Sequence, residues 1–283
     1  MAKDPITVVH EEESGRILTA NSMTFFDDRV TTKDVIICGS YCAYSSIRWV
    51  LRVGAKAAVA HECGVGMDGA GIAGLVSAQE RGIPMIACET MSARLADGDS
   101  VYETGKVGHA NEAATDLGVR PGQPIQEAAR LLLKAPPGKV IEPEGISEKN
   151  TITVLDETEN GTVYASWGLP VLKKIQEPHP DAVFVQGSHS GQTIVAEIIR
   201  LQVKGVITND AGRGKDDSGI AAFAPLAEAG IAAAAVGTMS ARVGETMSTW
   251  NDGIISCMND VAGSRGVLPG MGVREAAGKM LIS

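Results

Sequence analysis

The chain has few aromatic residues and no excess of positive charge. Phe, Trp and Tyr make up 4% of its 283 residues, and the formal net charge is −9 at pH 7. A protein that binds nucleic acid without sequence preference needs a basic face, and single-strand binders stack bases on aromatic side chains. The composition therefore argues against a nucleic-acid partner.

Long apolar runs and paired cysteines are also missing from the sequence. No apolar stretch approaches the length of a transmembrane helix, and the first residues lack the apolar core of a signal peptide. The five cysteines are an odd number and show no paired spacing, which is not typical of a disulfide framework. We expect a cytoplasmic protein with no membrane partner, and the Ala- and Gly-rich composition favours a homo-oligomer.

What the sequence does contain is a repeat of itself. When it is shifted by 148 positions, Gly39 and Ser40 fall on Gly187 and Ser188, and the Met-Ser-Ala-Arg of residues 91–94 falls on the same four letters at 239–242. Self-similarity at this distance is typical of an internal duplication. It predicts two similar lobes related by a pseudo-twofold axis, with a cleft between them as a place for a site.

Each copy alternates predicted strands and helices, which indicates an α/β fold. A hairpin (residues 6–11 and 16–20) is followed by apolar strands at 35–38, 57–60 and 84–88, and the second copy repeats these strands at 183–185, 205–208 and 232–236. Helices are expected between the strands and as the last two elements of each copy, ending with 123–133 and 271–281. Alternation of this kind predicts three-layer lobes with parallel sheets. The predicted domains are residues 1–137 and 152–283, with a linker at 138–151.

Polar clusters follow the ends of the predicted strands, most densely in the second copy. Ser188, His189 and Ser190 follow one strand, and Asn209 and Asp210 follow the next. In open α/β sheets, ligands bind outside the carboxyl ends of the strands. A serine there can be a nucleophile with His189 as acid or base, or it can simply cap the next helix.

The loop after Asn209 contains three further groups suited to acid–base chemistry. Lys215 among carboxylates can carry a proton, whereas Asp216 and Asp217 can hold magnesium or cap the following helix. We therefore assign the reaction mainly to the second copy. The residues predicted to be catalytic are Ser188, His189, Asp210, Lys215, Asp216 and Asp217.

The matching loop of the first copy satisfies the G-x-G-x-x-G pattern at residues 64–69, with Glu89 after the next strand. This pattern is typical of dinucleotide binding when the first glycine directly follows a strand. Three residues intervene here, and the second copy has Asp217 at the third glycine position, where a carboxylate would repel a pyrophosphate. Dinucleotide binding therefore stays an alternative.

Met-Ser-Ala-Arg, present in both copies, supplies two arginines suited to an anion. A guanidinium can bind two oxygens of a carboxylate or phosphate at once, although a salt bridge to a nearby loop aspartate would use the same atoms. We expect the substrate-binding residues to come from both copies. They are Ser40, Tyr41, His61, Glu62, Asp68, Ser92, Arg94, Asn209, Arg213, Ser240 and Arg242.

Together these residues predict an enzyme that acts on a small anionic metabolite bearing a carboxylate. A hydrolase of a cyclic amide or related C–N bond is the first interpretation, with no cofactor and no protein metal site. The alternatives are a magnesium-dependent lyase or aldolase acting on an oxo-acid, a nucleotide-dependent oxidoreductase, and a binding protein without catalytic activity.

Overall fold

The computed structural model describes residues 5–143 and 151–282, which form two compact units of α/β architecture. The first unit contains residues 5–65 and 70–143 and the short segment 214–216; the second contains 66–69, 151–213 and 217–282. The described residues form two six-stranded mixed sheets and eleven α-helices. Most of the predicted linker, residues 144–150, lies outside the described residues.

The sheet of the first unit follows the chain order β1-β2-β3-β4-β5-β6. Its strands are β1 (Ile6–Glu12), β2 (Gly15–Ala20), β3 (Val35–Tyr41), β4 (Ala57–His61), β5 (Met85–Cys88) and β6 (Val107–Ala110). Strands β2 to β5 are parallel, whereas β1 and β6 pair antiparallel with their neighbours. Its helices are α1 (Ile47–Val53), α2 (Gly74–Gln79), α3 (Gly98–Thr104), α4 (Glu112–Asp116) and α5 (Ile125–Leu132).

The second unit has the same strand order and the same pattern of pairing, β7-β8-β9-β10-β11-β12. Its strands are β7 (Thr153–Thr158), β8 (Gly161–Ser166), β9 (Ala182–His189), β10 (Gly205–Asn209), β11 (Ala232–Val236) and β12 (Ile255–Met258). Its helices are α6 (Leu169–Leu172), α7 (Val195–Leu201), α8 (Phe223–Glu228), α9 (Thr246–Asp252), α10 (Asp260–Ser264) and α11 (Val273–Leu281).

The predicted α/β class and the predicted hairpins and strands are confirmed, but the prediction of purely parallel sheets is wrong. A two-residue turn between β1 and β2 forces those strands to run antiparallel, because parallel neighbours need a long crossover. The other outer strands, β6 and β12, fall where only helices were predicted. Each has four residues, too few for a period-2 apolar pattern to be visible.

Each sheet is covered on both faces by apolar side chains of alternating residues. In β3, Ile36 and Cys38 belong to one core cluster, whereas Val35 and Ile37 belong to another on the opposite face. The second unit repeats this division. Burial on both faces explains why the inner strands are apolar runs rather than alternating sequences.

A lysine, buried in the first unit and partly buried in the second, connects the two ends of each unit. The ammonium of Lys56 donates to the carbonyls of Ser14, at the hairpin turn, and Leu133, just after α5, at 2.9 and 3.0 Å. Lys204 donates in the same way to Asn160 and to Leu281 at 2.8 and 2.9 Å. In the described part of the chain, no helix has the length and apolar character needed to cross a bilayer.

Candidate functional site

The loops after β4 and β10 share a left-handed backbone. In the first loop Val65 and Asp68 have φ of 61° and 54°, and in the second Arg213 and Asp216 have φ of 70° and 55°. Residues other than glycine rarely adopt this conformation, least of all the β-branched Val65. Strain held in place by the surrounding structure is a common property of functional loops.

The buried carboxylate of Glu62 holds the loop of the first unit. Its Oε1 accepts hydrogen bonds from the backbone N–H and the hydroxyl of Thr90, at 2.9 and 3.0 Å. The Thr90 hydroxyl in turn accepts from the N–H of Gly64 at 2.7 Å. Glu62 is therefore fixed at the carboxyl ends of β4 and β5, and its second oxygen is available to a further donor.

That donor is His109 on β6. Its Nδ1 lies 3.0 Å from Oε2 of Glu62, and its side chain is 46% exposed whereas that of Glu62 is 9% exposed. When Nδ1 donates to this carboxylate, the lone pair of a neutral imidazole is on the other ring nitrogen, Nε2. A histidine oriented by a buried carboxylate in this way is the arrangement of general bases in hydrolases.

In the second unit Asp210 has the position of Glu62 but different partners. Its Oδ1 accepts from the N–H groups of Gly212 and Thr238, both at 3.0 Å, and its Oδ2 accepts from the hydroxyl of Ser256 at 2.8 Å. Three donors thus engage this carboxylate. Asp210 holds its loop as Glu62 does, but it orients no histidine.

The residues opposite these carboxylates differ in a complementary way. A Cβ atom at Gly108 would lie 2.2 Å from Oε2 of Glu62, so the longer carboxylate needs a glycine there. Ser256 stands at the matching point of β12, where the shorter Asp210 leaves room for a hydroxyl. The next residue is His109 in β6 and Cys257 in β12, and burial raises the pKa of the Cys257 thiol.

His61 and Asn209, both predicted to bind substrate, have all their polar side-chain atoms engaged inside their units. His61 has Nε2 at 3.2 Å from the carbonyl of Ala93 and Nδ1 accepting from the N–H of Cys63. Asn209 makes the same two contacts, to the carbonyl of Ala241 and from the N–H of Ala211. Burial lowers the pKa of His61, so its ring stays neutral.

The serines of Met-Ser-Ala-Arg tie the loop to the start of the outer strand. Ser92 donates to the carbonyl of Glu89 and accepts from the N–H of Lys106, at 2.8 and 2.9 Å. Ser240 makes the equivalent bonds with Gly237 and Ile254, at 2.8 and 3.0 Å. These hydrogen bonds account for the identity of the serine in both copies without a ligand.

The arginines of the motif form exposed ion pairs. Within the first unit Arg94 lies 2.9 Å from Asp216, and within the second Arg242 lies 2.5 Å from Asp68. Exposed pairs of this kind contribute little stability, about 0 to 1 kcal/mol. An anionic ligand could therefore displace the aspartate at small cost.

Arg213 is the third arginine predicted to bind substrate. Its Nε lies 2.8 Å from Asp217, an exposed partner on the same loop. Hydrogen bonding to Asp217 raises the pKa of Arg213 and lowers that of Asp217. In this structure Asp217 is the ion-pair partner of Arg213.

Each of the remaining predicted catalytic residues Ser188, His189 and Lys215 has a hydrogen-bond partner in the structure. Ser188 donates to Oε1 of Gln186 at 3.0 Å, and Nδ1 of His189 accepts from the N–H of Gly191 at 3.0 Å. Lys215 donates to the hydroxyl of Thr104 in the first unit, at 3.3 Å.

In the first unit, Ser40 accepts from the N–H of Met23 at 2.9 Å. Tyr41 ends β3 and is partly buried. Their contact with substrate stays a prediction.

Two alternative ligands can be compared with this geometry. Among residues 5–143 and 151–282, no three His, Cys, Asp or Glu side chains are grouped to hold a metal ion. The loop with the G-x-G-x-x-G pattern continues as a 3-10 turn (Met67–Ile72), and α2 begins only at Gly74. A dinucleotide fingerprint instead opens its helix at the glycine turn.

Sequence reasoning missed His109 and Ser256 because both lie on outer strands that were not predicted. The sequence does place a polar residue in each outer strand, and the strand pairing brings it close to the carboxyl end of β5 or β11. Finding these two residues would have required predicting that each outer strand pairs antiparallel with its neighbour.

No protein-family model matches this chain, and comparisons with curated proteins and with solved structures gave no match either.

Proposed function

We propose that the protein is an enzyme that hydrolyses a cyclic amide or related C–N bond in a small metabolite bearing a carboxylate, with His109 as the general base. The hydrogen bond between the buried Glu62 and the half-exposed His109 carries this proposal. It differs from our expectation from the sequence in placing the reactive group in the first unit.

The proposed reaction uses water as the nucleophile. Nε2 of His109 takes a proton from a water molecule as its oxygen attacks the amide carbonyl carbon, and Glu62 stabilises the imidazolium that forms. The C–N bond then breaks, and the imidazolium returns the proton to the leaving nitrogen. With a cyclic amide the product is one ring-opened molecule that carries the new carboxyl group and the new amine, and His109 ends neutral.

Arg94 is the group in the first unit that we propose for the substrate carboxylate. It lies on the loop that follows β5, and its partner Asp216 is 59% exposed. A bidentate carboxylate offers the guanidinium better geometry than a single exposed aspartate contact. Exchange of Asp216 for substrate would couple binding to a rearrangement of the segment 214–216.

The test compares matched variants of the two units. We expect His109→Gln and Glu62→Gln to lower kcat about 100-fold or more in an assay of ring opening of carboxylate-bearing cyclic amides, the usual effect of removing general-base catalysis. Cys257→Gln, at the matching position of the second unit, should retain kcat. Equal losses in all three variants, or full activity of His109→Gln, would refute the assignment.

A lyase that abstracts a proton next to a carboxylate is the second candidate. The side-chain partner of His109 in the described residues is the carboxylate of Glu62 rather than a serine or cysteine, which suits a base acting directly on a C–H bond. Substrate carbon-bound hydrogen exchanging with D2O would favour the lyase, and ring opening without exchange would favour the hydrolase. A requirement for magnesium would support the metal-dependent form of the lyase.

We also propose that the units arose by duplication of one ancestral unit and that the protein forms a homo-oligomer. The duplication is supported by the shared strand order, the shared strand pairing and the equivalent hydrogen bonds of Ser92 and Ser240. Size-exclusion chromatography with light scattering would test the oligomer, and a monomer at micromolar concentration would exclude it.

A further inference from the structure

Three fully buried polar atoms of the second unit have no hydrogen-bond partner in the described structure. They are Oγ of Ser166, Nε2 of Gln186 and Oγ of Ser190. All three side chains have 0% exposure. Buried polar groups in proteins are nearly always paired, so three unpaired atoms in one region need an explanation.

The three residues come together at the carboxyl end of β8 and β9. Ser166 and Gln186 are Cα partners in the parallel pair, which places their side chains on the same face of the sheet. This is the face on which Phe184 packs against the core residues of α7. Ser190 directly follows β9, whose register shifts near its end. The polar residues therefore lie where an apolar core gives way to the edge of the sheet.

Only one end of the side-chain amide of Gln186 has a hydrogen-bond partner. Its Oε1 accepts from the hydroxyl of Ser188 at 3.0 Å, and its Nε2 is unpaired. Turning the amide over would pair the nitrogen with Ser188 and leave the oxygen alone instead. One end of the amide is unpaired in either orientation.

The first unit fills the same place with apolar and sulfur-containing side chains. Ala20 and Cys38 are Cα partners at the position of Ser166 and Gln186, and Cys42 stands where Ser190 does. The one hydroxyl there, on Ser40, accepts from the N–H of Met23 at 2.9 Å and donates to the sulfur of Cys38 at 3.4 Å. The fold therefore does not require polar residues at this place.

We propose that Ser166, Gln186 and Ser190 form a binding site for a neutral carboxamide group. An amide of the ligand supplies the donor and the acceptor that Gln186 and the two hydroxyls need. None of the three residues is charged, which favours a neutral ligand over a carboxylate. This site is separate from the pair of Glu62 and His109 and does not depend on the proposed activity.

Access to the site requires a local movement, since its atoms have no contact with solvent. Ser166 is followed by Gly168, which has φ of +88°, and by the four-residue helix α6. This single turn of helix buries Val171 and Leu172 and accepts a hydrogen bond from Arg200 at the carbonyl of Leu172, so the site opens only in a local fluctuation that breaks these contacts. Displacement of α6 is the movement that would admit the ligand.

Acetamide is the probe for this site, with sodium acetate as the matched anion. We expect the side-chain amide resonances of Gln186 to shift with acetamide and reach saturation, and to shift at least tenfold less with acetate at the same concentration. In a Ser166→Ala/Ser190→Ala variant, the affinity for acetamide should fall at least tenfold. Cys42→Ala, at the position of the first unit that matches Ser190, should bind as the unchanged protein does.

Three results would overturn the proposal. They are the lack of a saturable shift, an equal response to acetate, and unchanged affinity in the double variant. A nuclear Overhauser effect from a long-lived water to the Gln186 amide that persists at high acetamide would also overturn it, since the site would then hold a structural water only. If the double variant fails to fold, Ser190→Ala alone provides the same comparison.

Discussion

The two units use the same hydrogen bonds to hold their loops but place different groups beside the held carboxylate. His61 and Asn209 are different residues with the same two backbone partners. By contrast, the residue beside the carboxylate on the outer strand is a histidine in one unit and a cysteine in the other. Matching positions that make the same hydrogen bonds in both units therefore serve the fold. Matching positions that make different hydrogen bonds indicate where the units differ in chemistry.

The largest expected effect tests the shared framework. Asn111 accepts from the N–H of Met85 and donates to the carbonyl of Ile83, and it caps α4; Asn259 does the same for Ala233, Ile231 and α10. Replacing either by Ala removes a cap and leaves buried groups unpaired, so we expect a loss of about 3 kcal/mol in both units. Urea denaturation followed separately in each unit would measure it, and a large effect in one unit alone would contradict the equivalence.

The second prediction exchanges the two carboxylate arrangements. Gly108→Ser places a Cβ atom against Glu62 and should destabilise the protein by about 2 kcal/mol, a typical cost of overpacking. Adding Glu62→Asp creates the pair found in the second unit and should restore about half of that loss, although His109 loses its partner. A double variant no more stable than Gly108→Ser alone would show that the two positions are not coupled.

The third prediction compares the strained loops. Val65 and Arg213 have the same left-handed conformation, and Val65→Gly should stabilise the protein by about 1 kcal/mol because glycine adopts it freely. Arg213→Gly should give a smaller gain, because it also removes the ion pair with Asp217. Thermal unfolding of both variants measures the difference, and a destabilised Val65→Gly would mean that the valine side chain contributes packing that outweighs the strain.

The smallest expected effect is a dependence on pH. Burial lowers the pKa of His61 in the folded protein, so the unfolded chain takes up a proton first as the pH falls below 6.5. Stability present above that pH is therefore lost on acidification, by less than about 1 kcal/mol at pH 6. His61→Asn, which inserts the residue of the second unit, should remove this slope. An unchanged slope would assign it to another group.

The inner strands could be predicted from the sequence because burial on both faces leaves apolar runs such as the one at Val35–Tyr41. Strands β6 and β12 could not, since four residues with mixed burial have no distinctive period. The consequence for the site is direct. Glu62 was predicted to contribute, whereas His109, its partner, lies on the strand that was missed.

The match between the copies was informative about the fold, whereas the ligand contacts inferred from it stay a prediction. Met-Ser-Ala-Arg was interpreted as an anion-binding motif, yet its serines and alanine carbonyls are engaged by Lys106, Ile254, His61 and Asn209. Only contacts in three dimensions distinguish a residue kept for its backbone partners from one kept for a ligand. The arginines remain suited to either role.

The two lysines that connect the ends of their units, Lys56 and Lys204, have a consequence for how each unit unfolds. Lys56 donates both to the hairpin turn near the beginning of its unit and to the carbonyl of Leu133, just after the last helix. Lys56 and Leu133 are 77 residues apart in the sequence. Opening either end removes one of the two acceptors of this ammonium, so fraying at one end weakens the contact at the other. The hairpin turn and the final helix should therefore lose their protection from hydrogen exchange in a single cooperative step, although they are far apart along the chain.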